Sequence, residues 1–563
     1  MIEKLEFKPK LISELRNYSL SKFKDDLSAG IVVGIVALPL AIAFGIASGV
    51  TPSIGLITAV IGGFLVSALG GNSVQIGGPT GAFIVIVYNI IQNFGVEGLA
   101  IATVMAGLIL VLLGVLRLGT IITYIPYPIV IGFTSGIALT IFSTQIVDFF
   151  GLSAPNGVPS EFIEKWGEIF KIFNTIDIPT TLISIATIAI IILLKKISKK
   201  TPGALIAIVI TTLIVYLLKE FNIVSSITTI GDRFANLSGE IPKPHGLGMN
   251  MDTVQELLPS AFTIAMLCAI ESLLSATVAD GATGNHTNSN TELIGQGVAN
   301  LVVPFFGGIP VTGAIARTMT NISNGGKTPV AGIIHAIVLL LMFLFLMPLI
   351  NYIPMAALAG VLVIVSYNMS EWRNIVAAFK TPKYDVTVLI VTFLLTVIFD
   401  LTIAIEIGLL LAMLLFMKRM MENTQIKVFN KAIDIYEGSD TEEHEMLDIL
   451  PGIQVYEIEG PFFFGIATKF DEVMSHVDNK PVVRIIRMRK VPFIDSTAIH
   501  NLQVLIQSSQ KEGVEVILSG VNPQVHKVLS NAKISELLGE EHICSHISQA
   551  IEQANKRVLS IIN

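Results

Sequence analysis

Apolar runs of about twenty residues follow one another through the first 420 positions of this 563-residue chain, and no other feature limits its fold as severely. Ala29 to Gly49, Ile101 to Leu116, Val330 to Ile350 and Leu401 to Met417 are examples. Such a run, wound as helix, crosses the hydrocarbon core of a bilayer. Backbone inside lipid must satisfy its own hydrogen bonds, so helices are expected, and the alternating polarity of barrel strands is missing. Composition agrees: 52% of residues are hydrophobic and 14% charged, against roughly 25% charged in soluble domains.

Several functions are excluded early. Cys268 and Cys544 lie far apart and give no disulfide framework. The net charge is -7 and no basic stripe with interleaved aromatics appears, so nucleic acid is not an expected partner. The first residues, Met1 to Lys24, are polar and basic, with no cleavable leader evident. GGKT at 325–328 lacks the first glycine of a phosphate-binding loop, which leaves an ion gradient as the driving force.

The apolar pattern predicts segments near 27–49, 53–70, 80–93, 97–116, 124–148, 179–194 and 202–218. A second set is predicted near 255–278, 291–307, 312–324, 329–350, 353–367, 385–399 and 401–420. With the N-terminus inside, one side collects Lys22, Lys24, Arg117, Lys195, Lys196, Lys199 and Lys200. Lys327, Arg373, Lys380, Lys383, Lys418 and Arg419 fall on that same side. This places the N-terminus and the polar tail in the cytoplasm of a bacterial cell, with the chain in its inner membrane.

The two sets echo each other. Thr80-Gly81-Ala82 recurs as Thr312-Gly313-Ala314, and Tyr124-Ile125-Pro126 as Tyr352-Ile353-Pro354. A unit of seven crossings copied in tandem is inserted upside down the second time, and inverted repeats with interrupted segments suit alternating access. The expected fold is therefore an all-α membrane domain of fourteen segments in a 7+7 inverted repeat, followed by a small α/β domain. Expected boundaries are 1–26 for a cytoplasmic N-terminal segment and 27–421 for the transport domain, with repeats at 27–218 and 255–420. A linker at 422–447 leads to the tail domain at 448–560.

The segments opening at Thr80 and Thr312 are too short to span alone and are expected to begin near mid-membrane. A helix start there exposes unpaired N–H groups and a partial positive charge, and two facing starts would cradle a small anion. Gly77, Gly78, Gly81 and Gly313 let the backbone approach a ligand, or simply let helices pack closely, and Ala82 and Ala314 beside them are further candidate substrate-binding positions. Arg317 lies one turn into the second short helix. Its roles are to attract the anion, to partner a buried carboxylate, or to snorkel to the surface. Glu271 interrupts the apolar run FTIAMLCAIESLLSA. It is open as a partner of Arg317, a proton carrier, or, with Ser275 on the same face and Thr312, a ligand for a coupling cation. Asp280, His286, Asp400 and Glu406 read as loop, packing or inter-helix groups.

Past Glu422 the composition changes, with an acidic bridge at 438–445. Strands are predicted at 452–459, 482–488 and 514–520, and helices near 465–476, 497–510 and 523–531. Asp495 and Ser496 precede a helix and suit a cap; a phosphorylation or nucleotide site is the lesser reading. No paired acid and base groups and no metal cluster occur in the tail, so neither an enzyme nor a structural metal is expected.

ALPLAIAFGIASG at 37–49, QIGGPTGAF at 75–83, AIESLLSATVAD at 269–280 and GAIARTMTN at 313–321 resemble the SulP/SLC26 family of anion transporters. PFFFGIA at 461–467 and FIDSTAI at 493–499 resemble a STAS domain. The resemblance implies a UraA-like core moving against a gate, in a homodimer, with no cofactor and with coupling to H+ or Na+. It implies secondary transport of sulfate or bicarbonate. Chloride, oxalate or dicarboxylate exchange, an anion channel, and an uncharged nucleobase transporter of the same architecture are the alternatives. It places the substrate between the two short helices and adds Pro39 of the first segment to the site. Glu271 would match the acidic position of the eighth segment, and Arg317 the arginine near the anion. Leu40 follows Pro39 where many sulfate-type members carry glutamine. The first-segment stretch looks closer to sodium-coupled bicarbonate transporters, which have aspartate where Glu271 stands. In the tail, Thr497 matches a residue phosphorylated in related soluble regulators. Ser496 and Thr497 are thus candidate regulatory positions, and the domain a candidate contact for a cytoplasmic protein or nucleotide.

Overall fold

The computed structural model describes residues 7–16, 18–120, 126–155, 157–159, 161–197, 202–234, 239–244, 246, 248, 251–399, 401–434, 446–466 and 480–562. Tyr124, Ile125, Lys199, Lys200, Asp400, the acidic bridge at 438–445 and most of the helix predicted at 465–476 lie outside them. The chain divides into two compact units, residues 1–412 and 413–563.

The first unit is helical. After a short α1 (Lys10–Leu15), the first repeat contains α2 (Leu20–Ala47), α3 (Pro52–Leu69), strand β1 (Gly77–Gly78) and a 3-10 turn (Gly81–Phe83) that runs into α4 (Ile84–Val115). It continues with α5 (Tyr127–Phe150), a surface helix α6 (Phe162–Ile172), α7 (Ile178–Ile197) and α8 (Gly203–Glu220). A short α9 (Ile230–Arg233) lies in the connector. The second repeat follows as α10 (Met251–Thr283), α11 (Ser289–Val302), strand β2 (Thr312–Gly313) and α12 (Ile315–Ser323). Then come α13 (Pro329–Ile350), α14 (Met355–Met369), a short α15 (Trp372–Ala378), α16 (Lys383–Ile398) and α17 (Leu401–Asn423). All fourteen expected segments are present. Segments 80–93 and 97–116 are the two parts of α4, which breaks at Gly95, where φ is +71°. That angle is ordinary only for glycine.

Packing between helices reproduces the repeat. α2 packs on α13 as α10 packs on α4, and α3 packs on α13 as α11 packs on α4. α5 packs on α16 as α14 packs on α7, and α5 and α14 pack on each other. Where α4 meets α11, Gly107 and Gly297 lie so close that a Cβ on either would stand under 3 Å from the other's carbonyl oxygen. Small residues set this distance in membrane helices. Among the described residues, nine helices are long and apolar enough to cross a membrane. Their outer faces leave large apolar side chains such as Leu182, Leu213 and Phe345 exposed, the pattern of a surface solvated by lipid.

The strands correct one expectation. β1 and β2 pair antiparallel, Gly77 with Gly313 and Gly78 with Thr312. Thr312 therefore does not open the second short helix. That helix starts at Ile315 with Ala314 as its N-cap, whereas Thr80 is the N-cap of the first. The three-letter echo is offset from the structural one, because a backbone pair needs extended chain at Thr312-Gly313 before helix can begin.

The second unit holds a five-stranded sheet in the order β3 (Gln425–Phe429), β6 (Ile453–Glu459), β7 (Val483–Lys490), β8 (Glu515–Ser519), β9 (Ile543–Cys544). β3 is antiparallel to β6 and the other pairs are parallel. Strands β4 (Ala432–Asp434) and β5 (Met446–Asp448) form a separate ribbon. Helices α18 (Ser496–Lys511), α19 (Pro523–Asn531), α20 (Ile534–Leu538) and α21 (Ile547–Ile562) complete it. The predicted strands and the last two predicted helices are present. β3, within the expected linker, is an edge of the sheet.

Candidate functional site

Two interrupted segments meet where β1 and β2 pair. The approach to the first bends at Val74 and passes through strand β1 (Gly77–Gly78), and Thr80, in extended conformation, is the N-cap of the turn. The approach to the second ends at Ala314, whose N–H donates to the Ile76 carbonyl at 2.9 Å. The first N–H groups of each helix lack intrahelical partners and carry the positive end of the helix dipole. The first start is enclosed by apolar helices, whereas the second is half-buried at Ala314 and Ile315 and exposed at Ala316. A Cβ on Gly81 would stand 3.0 Å from Met369 Sδ, 3.1 Å from Ile141 Cδ1 and 3.5 Å from the Phe44 ring. Gly81 is thus held between α2 on one side and α5 and α14 on the other.

Arg317 is 2% exposed. Its Nη2 donates to the Pro79 carbonyl at 3.0 Å and its Nη1 to the Gly77 carbonyl at 3.4 Å. It ties the second short helix to the approach of the first, and only glycine fits at position 78, because a Cβ there would overlap the guanidinium. A buried guanidinium held by neutral carbonyls keeps its full charge uncompensated, which suits attraction of an anion. Snorkelling is ruled out by this burial.

Glu271, on α10, accepts a hydrogen bond from Thr80 Oγ1 at 2.8 Å through Oε2. No ion pair joins it to Arg317 among the described residues, which removes the first of its three readings. The cation-ligand reading is not favoured by the hydroxyls around it. Ser275 Oγ donates to Thr318 Oγ1 at 3.3 Å, and Thr312 Oγ1 to the Cys268 carbonyl at 2.9 Å. These bonds send Glu271, Ser275 and Thr312 toward three different elements. Pro39 is buried within α2, where its missing N–H frees the Ile35 carbonyl. Ala82 is buried in the 3-10 turn.

A second polar cluster escaped the sequence reading. Glu292 on α11 is fully buried and accepts from the N–H groups of Gly71 (2.7 Å) and Asn72 (3.1 Å), from Ser272 Oγ (3.2 Å) and from Gln296 Nε2 (2.9 Å). Ser272 also receives Gln75 Nε2 at 2.9 Å. Asn300 accepts from the Val311 N–H at 2.9 Å and donates to its carbonyl at 2.8 Å. The signal was available: Glu292, Gln296 and Asn300 recur every fourth residue and form one polar stripe on a membrane helix. Asp280 is a loop organiser, accepting from Thr287 N at 2.8 Å, and Glu406 is exposed on α17.

Outward of Gly81, a cavity of about 530 Å³ lies between α2 and α4 on one wall and α5 and α14 on the other. Ala43, Tyr88, Gln145 and Leu362 contribute to it.

In the second unit, Asp495 caps α18: Oδ1 accepts from Ala498 N at 2.8 Å and Oδ2 from Phe464 N at 2.9 Å. Ser496 and Thr497 are exposed at the start of that helix.

Residues 23–392 match the sulfate permease family and residues 446–554 the STAS domain. A putative sulfate transporter of Bacillus subtilis, YvdB, is 39% identical over 94% of this chain and 98% of its own. Among solved structures, the transmembrane domain of a cyanobacterial bicarbonate transporter, BicA, matches with a TM-score of 0.61 and 31% identity. That match covers 69% of this chain and 98% of that one. The structure of SLC26A9 matches with a TM-score of 0.85 over 97% of this chain and 92% of that one; at 19% identity this likeness speaks to fold.

Proposed function

The chain belongs to the sulfate permease family, and we propose that it carries a small inorganic anion, sulfate or bicarbonate, across the bacterial inner membrane by alternating access. The family is one of transporters, not enzymes. One observation carries the reading: an uncompensated, buried guanidinium stands where two helix starts meet. All three sources of positive potential converge on one spot in a low-dielectric bundle, where they act most strongly. An uncharged nucleobase would leave that field unused.

The printed functions of the relatives support the anion class, one being a putative sulfate transporter and another a bicarbonate transporter. The substrate lies against Gly78, Thr80, Gly81, Ala82, Gly313 and Ala314, and the core formed by α2–α4 and α10–α13 moves against the gate formed by α5, α7, α8, α14, α16 and α17. Coupling is to the proton. Glu271 meets one hydroxyl donor, Thr80, while the hydroxyls of Ser275 and Thr312 donate elsewhere, so a proton suits it better than a cation needing several oxygens. The protein works as a homodimer with its STAS domain in the cytoplasm.

Proteoliposomes given labelled sulfate or bicarbonate, with proton and sodium gradients imposed separately, test this directly. Uptake of one anion that follows the proton gradient is expected. Uptake of neither anion would overturn the reading, and dependence on sodium alone would overturn the coupling.

A further inference from the structure

Helix α6 carries a lysine that the transport site does not use. Its buried face consists of Lys165 and Ile169, one turn apart. The helix is fixed to the gate by Trp166, whose Nε1 donates to Ser143 Oγ on α5 at 3.0 Å. Ile169 packs with Ile146 and Leu152 in a small apolar cluster. This anchoring turns Lys165 into the outward cavity, beside Gln145 and Asp148.

Lys165 is only 6% exposed, and no carboxylate pairs with it among the described residues. Burial without a counter-ion pushes its pKa down to about 8. The other charges on the cavity wall are matched. Arg233 Nη1 reaches both carboxylate oxygens of Asp148 at 3.0 Å, and Lys219 Nζ meets Asp232 at 2.7 Å. Among the described residues the cavity therefore holds one unbalanced charge, and it is positive. Buried charges are ordinarily paired, so an unpaired ammonium facing a void large enough for several waters points to an occupant from solution.

The cavity also stands on the path to the site. Ile141, which touches the position of Gly81, and Gln145, which lines the cavity, are one turn apart on α5. Phe44 and Ala43 are neighbours on α2 with the same division of labour. The floor of the cavity is thus about one helical turn, roughly 5 Å, from the start of the first short helix.

We propose that Lys165 makes this cavity an outer docking station, where a small inorganic anion from the external solution pauses before it reaches the two helix starts. The purpose assigned here rests on the transport reading; the binding itself does not. A single charge in a low-dielectric funnel raises the local concentration of counter-ions and their rate of entry.

The chain has two tryptophans, Trp166 and Trp372. In the full-length Trp372→Phe protein, Trp166 is the sole indole and sits next to the lysine. Iodide should quench it, and Lys165→Met should lower the quenching constant roughly threefold, with Lys165→Arg restoring it. Quenching by caesium should move the opposite way. In proteoliposomes, Lys165→Met should raise the apparent KM for external anion about threefold to tenfold and leave the maximal rate unchanged. Equal iodide quenching in the wild type and in Lys165→Met overturns the docking station. If quenching differs but the wild type moves neither sulfate nor bicarbonate, the docking station stands and the transport reading falls.

Discussion

The two short helices descend from one repeated unit, yet they hold the site in opposite ways. The first contributes backbone. Val74, Ile76, Gly77 and Pro79 on its approach offer carbonyls, and Ile76 an N–H. The second contributes side chains: Arg317 binds the Gly77 and Pro79 carbonyls, Thr318 accepts the Ile76 N–H at 3.1 Å, and Asn321 donates to Val74 O at 2.8 Å. The approach to the second helix leans elsewhere, on Asn300 of α11 and on the Cys268 carbonyl of α10. Duplication preserved the geometry of two facing helix starts, while chemistry was divided between them. One copy became a frame of carbonyls and the other a row of polar side chains that reads that frame.

The largest effect should come from removing the side chain on which this division turns. Arg317→Ala deletes the fixed charge and leaves two buried carbonyls without a donor. A fall in anion affinity of about 100-fold, equivalent to roughly 3 kcal/mol, is expected with membrane insertion retained. Equilibrium binding of labelled sulfate or bicarbonate to purified protein measures it. Wild-type affinity would remove the guanidinium from the account.

Next comes a pair of glycines that should differ if the asymmetry is real. A Cβ on Gly78 collides with the Arg317 guanidinium, which is tied to backbone on the same strand. A Cβ on Gly313 collides with the Gln75 amide, the end of a flexible side chain. Gly78→Ala should therefore lower uptake about tenfold or more, and Gly313→Ala distinctly less, since displacing a bonded charge costs more than displacing an amide. Equal losses would show that the two copies are equivalent after all.

Glu271→Gln sharpens the same contrast from the α10 side. Glutamine keeps an acceptor for Thr80 but cannot exchange a proton near neutral pH. Anion uptake without a gradient should stay close to wild type, while acceleration by an inward proton gradient should disappear. Persistent acceleration would assign coupling to another group.

How much of this was readable in advance follows from what hydropathy encodes. Long apolar runs report their solvent, so all fourteen segments could be located, including the broken one at Gly95. Proline, glycine and threonine near 79–81 reported a helix start, because few other conformations suit them together. Partners were harder to read. Arg317 was recognised as costly at that depth, but nothing local says that it will reach carbonyls across two repeats instead of Glu271. The Thr312-Gly313-Ala314 echo misplaced a helix start, since strand pairing with Gly77-Gly78 is a long-range fact. Glu292 was passed over although its stripe with Gln296 and Asn300 was visible; a four-residue polar period inside an apolar segment needs to be counted separately from the segment's mean. The edge strand β3 lay hidden in an expected linker, because a short strand paired on one side carries little apolar alternation.

The smallest prediction tests whether the row of side chains matters beyond its arginine. Thr318→Val keeps the shape and removes the acceptor for the buried Ile76 N–H, along with the partner of Ser275. A buried donor left without a partner costs about 1–3 kcal/mol. Thr103→Val is the control, since among the described residues Thr103 Oγ1 bonds only the Leu99 carbonyl of its own helix, at 2.7 Å, and that carbonyl has a second lone pair. Thermal unfolding in detergent should show a lower Tm for Thr318→Val than for Thr103→Val, with the deficit growing when Asn321→Ala is added. If Thr318→Val is as silent as the control, the second helix reads the first through Arg317 alone, and the division of labour shrinks to one residue.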